Sequence, residues 1–311
     1  MNVLNLFVNS YSNLKNYGLP YWVMTPARRL LRSFAYRSLP KYLSKQVIQS
    51  NMRSEGLIVS LTSFPARIND VWQVVECMKR QTLLPEKILL WLSLDQFPTK
   101  ESVPQSLRDR EDDMFSIRFV EGDIRSHKKY YYVSKEYPDN LIFLIDDDIY
   151  YDTDIVRRSV NTYKDYNERC VVCNYGYQIM YNSEGCLPYS MWKPIVGKKV
   201  GKDLFFGSGG GTLFRPSDLY KDLVNIDLAL KLAPLADDIW LNAMVLKKDL
   251  AKVILPNGPL LTINIEENIT LTSVNNGMGR NDEQLLAVNQ YYGDVFNRPG
   301  ETHNQLVDDR M

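Results

Sequence analysis

The sequence predicts an α/β fold: a mostly parallel sheet flanked by helices, with a basic helical N-terminal extension. Three observations carry this. Apolar runs of strand length recur at Leu57–Ser63, Lys87–Leu94, Phe115–Val120 and Leu141–Ile145. Segments with helical spacing separate them, most clearly Ile68, Val71, Trp72, Val75 and Met78. Strands alternating with helices in this way build right-handed crossovers, and so a sheet covered on both faces. Third, 311 residues of which 45% are hydrophobic supply the core of one large domain with an appendage.

The appendage is residues 1–55. The first 54 residues carry eight basic side chains and no acidic one. From Pro26 to Leu43 basic residues alternate with Leu30, Leu31, Phe34, Leu39 and Tyr42, which predicts one or two short amphipathic helices broken by Pro40. Two destinations stand. The segment packs on the body with its arginines solvated, or residues 1–50 lie on an anionic membrane surface. The body, 56–311, is left with 29 basic residues against 36 acidic ones. That balance argues against nucleic acid as a partner. No apolar run reaches the ~18 residues of a membrane span, and Leu4–Val8 is too short for a signal peptide core. The expected location is cytoplasmic, with peripheral attachment to the inner face of the cytoplasmic membrane as the sharper alternative.

Within the body, Phe64–Arg67 is the exit loop of the first strand, a helix runs to about Arg80, and Gln81–Pro85 closes it. The second strand ends on Asp95. Pro104–Asp113 reads as a charged helical crossover, Asp123–Lys129 as a polar loop, and Tyr130–Tyr137 as a helix before the fourth strand. The second half is less regular. A helix is expected over Asp152–Tyr166, a strand over Cys170–Tyr177, and a long loop or hairpin over 180–200. A glycine cluster follows within Phe205–Phe214, then a helix from Ala236, a strand pair in 252–263, and a flexible loop at Asn275–Gly279. Cys170, Cys173 and Cys186 lack a fourth partner and read as thiols rather than a zinc site.

The chemistry concentrates where Leu141–Ile145, a strand buried on both faces, runs straight into Asp146, Asp147 and Asp148. Three adjacent carboxylates at a buried strand end repel one another unless something neutralises them. A divalent cation of the Mg2+ or Mn2+ kind suits their oxygens and leaves positions open for phosphates. Ligands of open α/β sheets bind just beyond such strand ends. The bland alternative is a polar turn into a helix capped by Asp152 or Asp154. A second acidic pair, Asp237-Asp238, opens the apolar helix Ile239–Met244. A helix start stabilises carboxylates, so a simple cap is the alternative reading for one of the two. The glycines at 207 and 209–211 suit either close passage of a sugar or a tight turn.

These motifs, in the order Leu61-Thr62-Ser63-Phe64-Pro65-Ala66-Arg67, Ser126-His127-Lys128-Lys129, Asp146-Asp147-Asp148, Gly207-Ser208-Gly209-Gly210-Gly211 and Ala236-Asp237-Asp238-Ile239-Trp240, carry a resemblance. The chain resembles bacterial glycosyltransferases of the GT-A (Rossmann-like) fold, in particular family-2-like enzymes of capsule and O-antigen synthesis. The resemblance spans about residues 56 to 295 and leaves the basic extension outside.

The resemblance implies a metal-dependent transfer of a sugar from a nucleotide donor, expected to be a UDP-sugar, to a glycan or lipid-linked glycan. It places Asp148 on Mn2+ or Mg2+, and Asp146 on ribose or a metal-bound water, with Asp147 between them in the donor site. Thr62, Ser63 and Arg67 fall where this fold contacts the nucleotide, and Asp95 and Asp123 where uracil or ribose would be held. Lys128 and Lys129 would neutralise phosphate charge; as cations at a helix start they are otherwise misplaced. Gly209, Gly210 and Gly211 would pass close to a sugar. Inverting members put the catalytic aspartate at the second acid of the later pair, here Asp238, whose pKa Asp237 would raise toward that of a general base. A histidine ligand would fall to His303, whose surroundings match no motif. Two other functions compete: a sugar-phosphate nucleotidyltransferase, which would want a glycine-rich loop after the first strand, and a non-catalytic carbohydrate-binding or scaffold subunit.

Overall fold

The computed structural model describes residues 2–13, 21–45, 52–183, 185–255, 260–263 and 279–297. His303 and positions 275–278 of the expected loop lie outside them. In chain order the elements are α1 (Val3–Asn13), α2 (Tyr21–Leu43), β1 (Arg53–Thr62), α3 (Val71–Lys79), β2 (Leu84–Ser93), α4 (Gln105–Arg108), β3 (Phe115–Val120), α5 (Lys128–Glu136), β4 (Leu141–Ile145) and α6 (Ile155–Asp165). Then come β5 (Cys170–Cys173), β6 (Gly176–Gln178), β7 (Tyr181–Asn182), β8 (Gly185–Cys186), β9 (Lys193–Pro194), β10 (Lys199–Gly201), β11 (Leu204–Phe206), β12 (Gly210–Phe214), α7 (Ile226–Leu232), α8 (Asp237–Lys247), β13 (Ala251–Ile254) and α9 (Arg280–Tyr292).

Eight strands form the main sheet in the order β10-β13-β5-β12-β4-β1-β2-β3. The β4-β1-β2-β3 half is parallel throughout. The other half is mixed: β12 runs antiparallel to both neighbours, and β13 parallel to β5. The sheet is thus an α/β sheet with helices on both faces, and its antiparallel part begins next to the acidic strand. β4 sits at the centre with Ile142–Ile145 fully buried, as its unbroken apolar run requires. One apolar layer holds Leu57, Val59, Phe143 and Ile145 against α3 and α6. The other holds Ile58, Ile142 and Leu144 with α5 and α8. Truncating Phe143 to alanine in this core would cost about 3–5 kcal/mol.

Several boundaries differ from those the sequence predicts. β1 begins three residues before Gly56, which instead marks an irregularity inside the strand: its φ is +73°, and the register slips between Ser54 and Ile58. The 104–113 crossover contains one helical turn, α4. α6 starts at Ile155 because the Asp152 carboxylate is taken up by the Asp154 N–H and by Arg158. The strand from Cys170 breaks after Cys173 and resumes as β6, which belongs to a separate small sheet. One strand, β13, forms after Leu250 among the described residues, and Thr262 makes an isolated bridge to Ile149.

The extension folds back on the body. Leu4, Val8 and Tyr11 of α1 and Ala35, Leu39 and Leu43 of α2 are buried in the same core as β1 and α3. The buried Arg80 guanidinium donates to the carbonyls of Leu43 and Lys45. α2 is continuous through both Pro26 and Pro40. Pro40 removes the hydrogen bond its N–H would have made to the carbonyl of Tyr36, and the buried stripe of Ala35, Leu39 and Leu43 holds the helix together by packing in spite of it. Among the described residues, no helix is long and apolar enough to cross a membrane.

Candidate functional site

The strand ends at the β4 C-terminus and the N-terminus of α8 enclose a cavity of about 680 Å³. Backbone bonds set its floor. The Asp146 N–H donates to Gly209 O at 3.2 Å and to the Tyr151 hydroxyl at 2.9 Å, and that hydroxyl donates onward to Gly209 O. The acidic triplet is thereby clamped to the glycine cluster. A Cβ on Gly209 would overlap the Asp146 carboxylate, so this glycine is required by close approach.

Each carboxylate of the triplet has a different partner. Asp147 is buried and accepts from Ser63 Oγ at 2.5 Å and Arg67 Nη1 at 2.9 Å. The same guanidinium nitrogen lies 3.1 Å from Asp148, and the guanidinium carbon sits over the Phe64 ring, 5.3 Å from its centroid. Asp146 meets Lys129 Nζ at 2.7 Å. Burial, then the charges of Asp146 and Asp147, push the Asp148 carboxyl up to about 7; Arg67 and Lys129 offset this in part. Burial raises Asp147 as well, against the pull of Arg67 and Ser63.

Lys128 and Lys129 open α5 yet are almost fully buried. Lys128 pairs with Asp123, and Lys129 bridges Asp146 and Asp237, the latter at 3.1 Å. Ser60 of β1 donates to the Lys129 carbonyl and holds the helix start in place. Burial would lower the Lys129 pKa, but Asp146, Asp237 and Asp238 outweigh it and keep the ammonium charged.

Asp237 and Asp238 occupy the first turn of α8, where the helix dipole favours negative charge. Ser208 binds both: its N–H donates to Asp238 Oδ1 at 2.7 Å, and its Oγ to Asp237 Oδ2 at 2.8 Å. Their environments push them apart. Burial alone would raise Asp237, but Lys129, His127 and hydroxyls of Ser208 and Ser126 hold it below the usual carboxylate range. Burial and the adjacent Asp237 push Asp238 up to about 7. Two adjacent carboxyls with separated pKa values are what acid–base chemistry near neutrality uses.

The cavity brings together Thr62, Ser63, Arg67, Asp123, Lys128, Lys129, Asp146, Asp147, Asp148, Gly209, Gly210, Asp237 and Asp238. Two expected members fall outside its lining. Asp95 lies on an exposed turn, and Gln96 reaches the cavity instead and donates to Asp123 at 2.8 Å. Gly211, at φ +97°, faces inward against Phe143, Ile155 and Asn174 and shapes the β12 register slip. Thr62 lines the cavity but spends its hydroxyl on Trp91 O. The sequence reading missed Ser208, for which the signal was a lone hydroxyl inside a glycine cluster. It also missed Tyr175, Tyr177 and Phe64.

Among the described residues, no three His, Cys, Asp or Glu side chains converge as a closed metal site requires. Within the triplet, Asp146 and Asp148 are the more exposed to the cavity and Asp147 the most buried. Two carboxylates fit a hard cation that keeps most of its shell as water and ligand oxygens, which is how Mg2+ is usually held. The mutual repulsion that raises Asp148 is the charge such an ion would relieve.

No protein-family model and no curated protein matches the chain. Among solved structures it is similar to an apo UDP-glucose pyrophosphorylase, at 10% identity over 78% of this chain and 98% of that one, TM-score 0.40. It is similar too to Francisella tularensis 2-C-methyl-D-erythritol 4-phosphate cytidylyltransferase, at 12% identity over 73% and 99%, TM-score 0.41. A UDP-glucose pyrophosphorylase complexed with UDP-glucose gives 11% identity over 79% and 99%, TM-score 0.37. At these scores the likeness assigns nothing to this chain, whose architecture stands on its own sheet order.

Proposed function

We propose that the protein is an inverting glycosyltransferase that moves a sugar from a nucleotide donor, a UDP-sugar, to a glycan or lipid-linked glycan hydroxyl. The observation that supports this best is the convergence of the acidic triplet and the acidic pair on one cavity, joined through buried Lys129.

In this reading Asp146 and Asp148 hold Mn2+ or Mg2+, which neutralises the diphosphate leaving group when bound. Arg67, Lys128 and Lys129 add fixed positive charge around the phosphates. Ser63, Thr62 and Asp123 line the nucleotide end. Asp238 accepts the acceptor's hydroxyl proton, with its pKa near the operating pH. Asp237 stays ionised, orients Ser208 and keeps Lys129 in place. The outer face of α2 holds the enzyme on the inner face of the cytoplasmic membrane, near a lipid-linked acceptor.

Incubation with a panel of nucleotide sugars and Mn2+ tests this. A glycosyltransferase releases UDP and consumes donor. Pyrophosphate exchange instead would mark a nucleotidyltransferase. Tight glycan binding with neither reaction would mark a carbohydrate-binding subunit.

A further inference from the structure

One wall of the cavity has no part in the chemistry described above. Tyr175, Tyr177 and Tyr189 line it, half-buried. They form a continuous array: Tyr175 and Tyr177 meet edge-on at 5.4 Å and 79°, and Tyr177 and Tyr189 at 5.9 Å and 56°. Buried Trp192 and Phe205 back Tyr189 at 4.8 and 5.6 Å, so the array is braced from behind. The Tyr175 and Tyr177 hydroxyls are bonded to each other at 2.5 Å.

The position of this wall is fixed by the glycine cluster. A Cβ on Gly207 would lie 3.0 Å from the Tyr175 ring and 4.0 Å from Asp238 Oδ2, whereas one on Gly209 would meet Asp146. The segment 207–209 therefore runs from tyrosines and Asp238 at one end to the acidic triplet at the other. Tyr189 and Asp238 line the same cavity, and burial, then the Asp238 charge, push the Tyr189 hydroxyl above its ordinary range.

We propose that Tyr175, Tyr177 and Tyr189 form the binding subsite for the acceptor, and that they take a pyranose ring with a hydroxyl directed at Asp238. This rests on the glycosyltransferase reading and gives it a location and a ligand class. The array is a corner of steeply tilted rings, not a parallel-sided slot, so it suits a chair-shaped sugar better than a flat base. The C–H face of a pyranose carries partial positive charge and fits the negative face of a tyrosine ring. Its hydroxyls find donors and acceptors in the phenol groups. No Lys or Arg is among the residues that make up the array, so it offers a phosphate no positive charge.

The test uses the full chain on an array of neutral and acidic oligosaccharides, in the presence of UDP and Mn2+, with UDP affinity measured separately by calorimetry. The native protein retains a subset of the pyranosyl glycans. Tyr177→Ala and Tyr189→Ala lower that retention by about tenfold or more, the scale of removing an aromatic anchor. Tyr177→Phe keeps the ring and retains most of it, and all variants bind UDP as the native chain does. Native UDP binding with no glycan retained, or alanine variants that retain glycan unchanged, overturns the subsite while the donor reading survives. Alanine variants that lose UDP instead make the wall a nucleotide contact and equally overturn it. Glycan retention by a native chain that binds no UDP removes the donor reading and leaves the wall as a sugar site.

Discussion

The Lys129 ammonium lies 3.1 Å from the Asp237 carboxylate, and both groups are buried. The same nitrogen reaches Asp146 at 2.7 Å, so one cation ties the triplet after β4 to the acidic pair that opens α8. Removing one partner of a buried ion pair leaves an uncompensated charge, at a cost of about 3–5 kcal/mol. Lys129→Met is therefore expected to destabilise the protein on that scale at pH 8. The loss should shrink at pH 5. Without the ammonium, Asp237 keeps the burial that raises its pKa and loses the largest charge that lowers it, so stability is retained at low pH and lost as pH rises through its folded-state pKa. Urea titrations of both proteins at the two pH values check this; parallel pH dependence would remove Lys129 from the role.

Asp238→Asn should keep UDP affinity and lose transfer by ~10²-fold or more, the scale of losing a general base. In the native enzyme, transfer should rise with pH through about 7, as the Asp238 carboxyl ionises. Stability should run the other way. A carboxyl raised above its unfolded pKa disfavours the folded state once charged, so its contribution is lost as pH climbs from the ordinary carboxylate range to 7. Asp238→Asn should then be the more stable protein at pH 8, a trade familiar at catalytic sites. A flat pH–rate profile with an active Asp238→Asn would sink the assignment, and an inactive Asp237→Asn beside it would move the base by one residue.

Asp148→Asn and Asp147→Asn should separate. Asp148 opens on the cavity, so its variant is expected to fold normally and to lose the Mn2+ dependence of UDP binding. Asp147 anchors Ser63 and Arg67 from a buried position, so its variant should instead lose about 1–3 kcal/mol of stability. Calorimetry with and without Mn2+, paired with thermal melts, distinguishes them. UDP binding by Asp148→Asn with unchanged Mn2+ dependence would remove it from the metal site.

Gly209→Ala and Gly211→Ala should separate in a similar way. At Gly209 the new methyl displaces the Asp146 carboxylate, and donor binding is expected to fall. At Gly211 the φ of +97° and the Phe143 ring 2.9 Å from the new methyl make the cost one of folding. Melting temperature against UDP affinity reads the two apart.

What the sequence made legible follows from how locally each feature is determined. β4 was legible because a run buried on both faces is apolar at every position, and the triplet because charge there is anomalous. Lys128 and Lys129 were legible as misfits with the helix dipole, and the structure resolves the misfit through Asp123, Asp146 and Asp237. Pro40 misled because a local breaking tendency lost to the packing of Ala35, Leu39 and Leu43. Asp95 and Asp123 both follow apolar strands, and only tertiary geometry sends one into the cavity and the other to solvent. The tyrosine wall was hidden because half-buried aromatics in short strands and turns read like core. Its meaning depends on the break after Cys173 and on where Gly207 lets Tyr175 lie.

The last prediction concerns α2. Its inner stripe is buried, but Leu30, Phe34, Arg37 and Lys41 recur at three- and four-residue spacing on the exposed face, with Arg29 exposed beside Leu30. Leu30 is 61% and Phe34 52% exposed, unusual for large apolar side chains. Folding back on the body and facing a membrane are therefore compatible: one face does each. Three basic residues near an anionic surface contribute about 3 kcal/mol, screened by salt, and two inserted apolar side chains add to it. The expected outcome is reversible binding to phosphatidylserine-containing vesicles that falls as salt is raised. Deleting residues 1–50 is a poor test, because it would strip Leu4, Val8, Leu39 and Leu43 from the core and uncover their partners. Surface variants are the better probe. Arg29→Glu with Arg37→Glu should abolish co-sedimentation, and Leu30→Ser with Phe34→Ser should weaken it, while UDP affinity and melting temperature stay near native. Equal pelleting with neutral and anionic vesicles, or by the charge-reversed and native proteins, would leave this face without a membrane role.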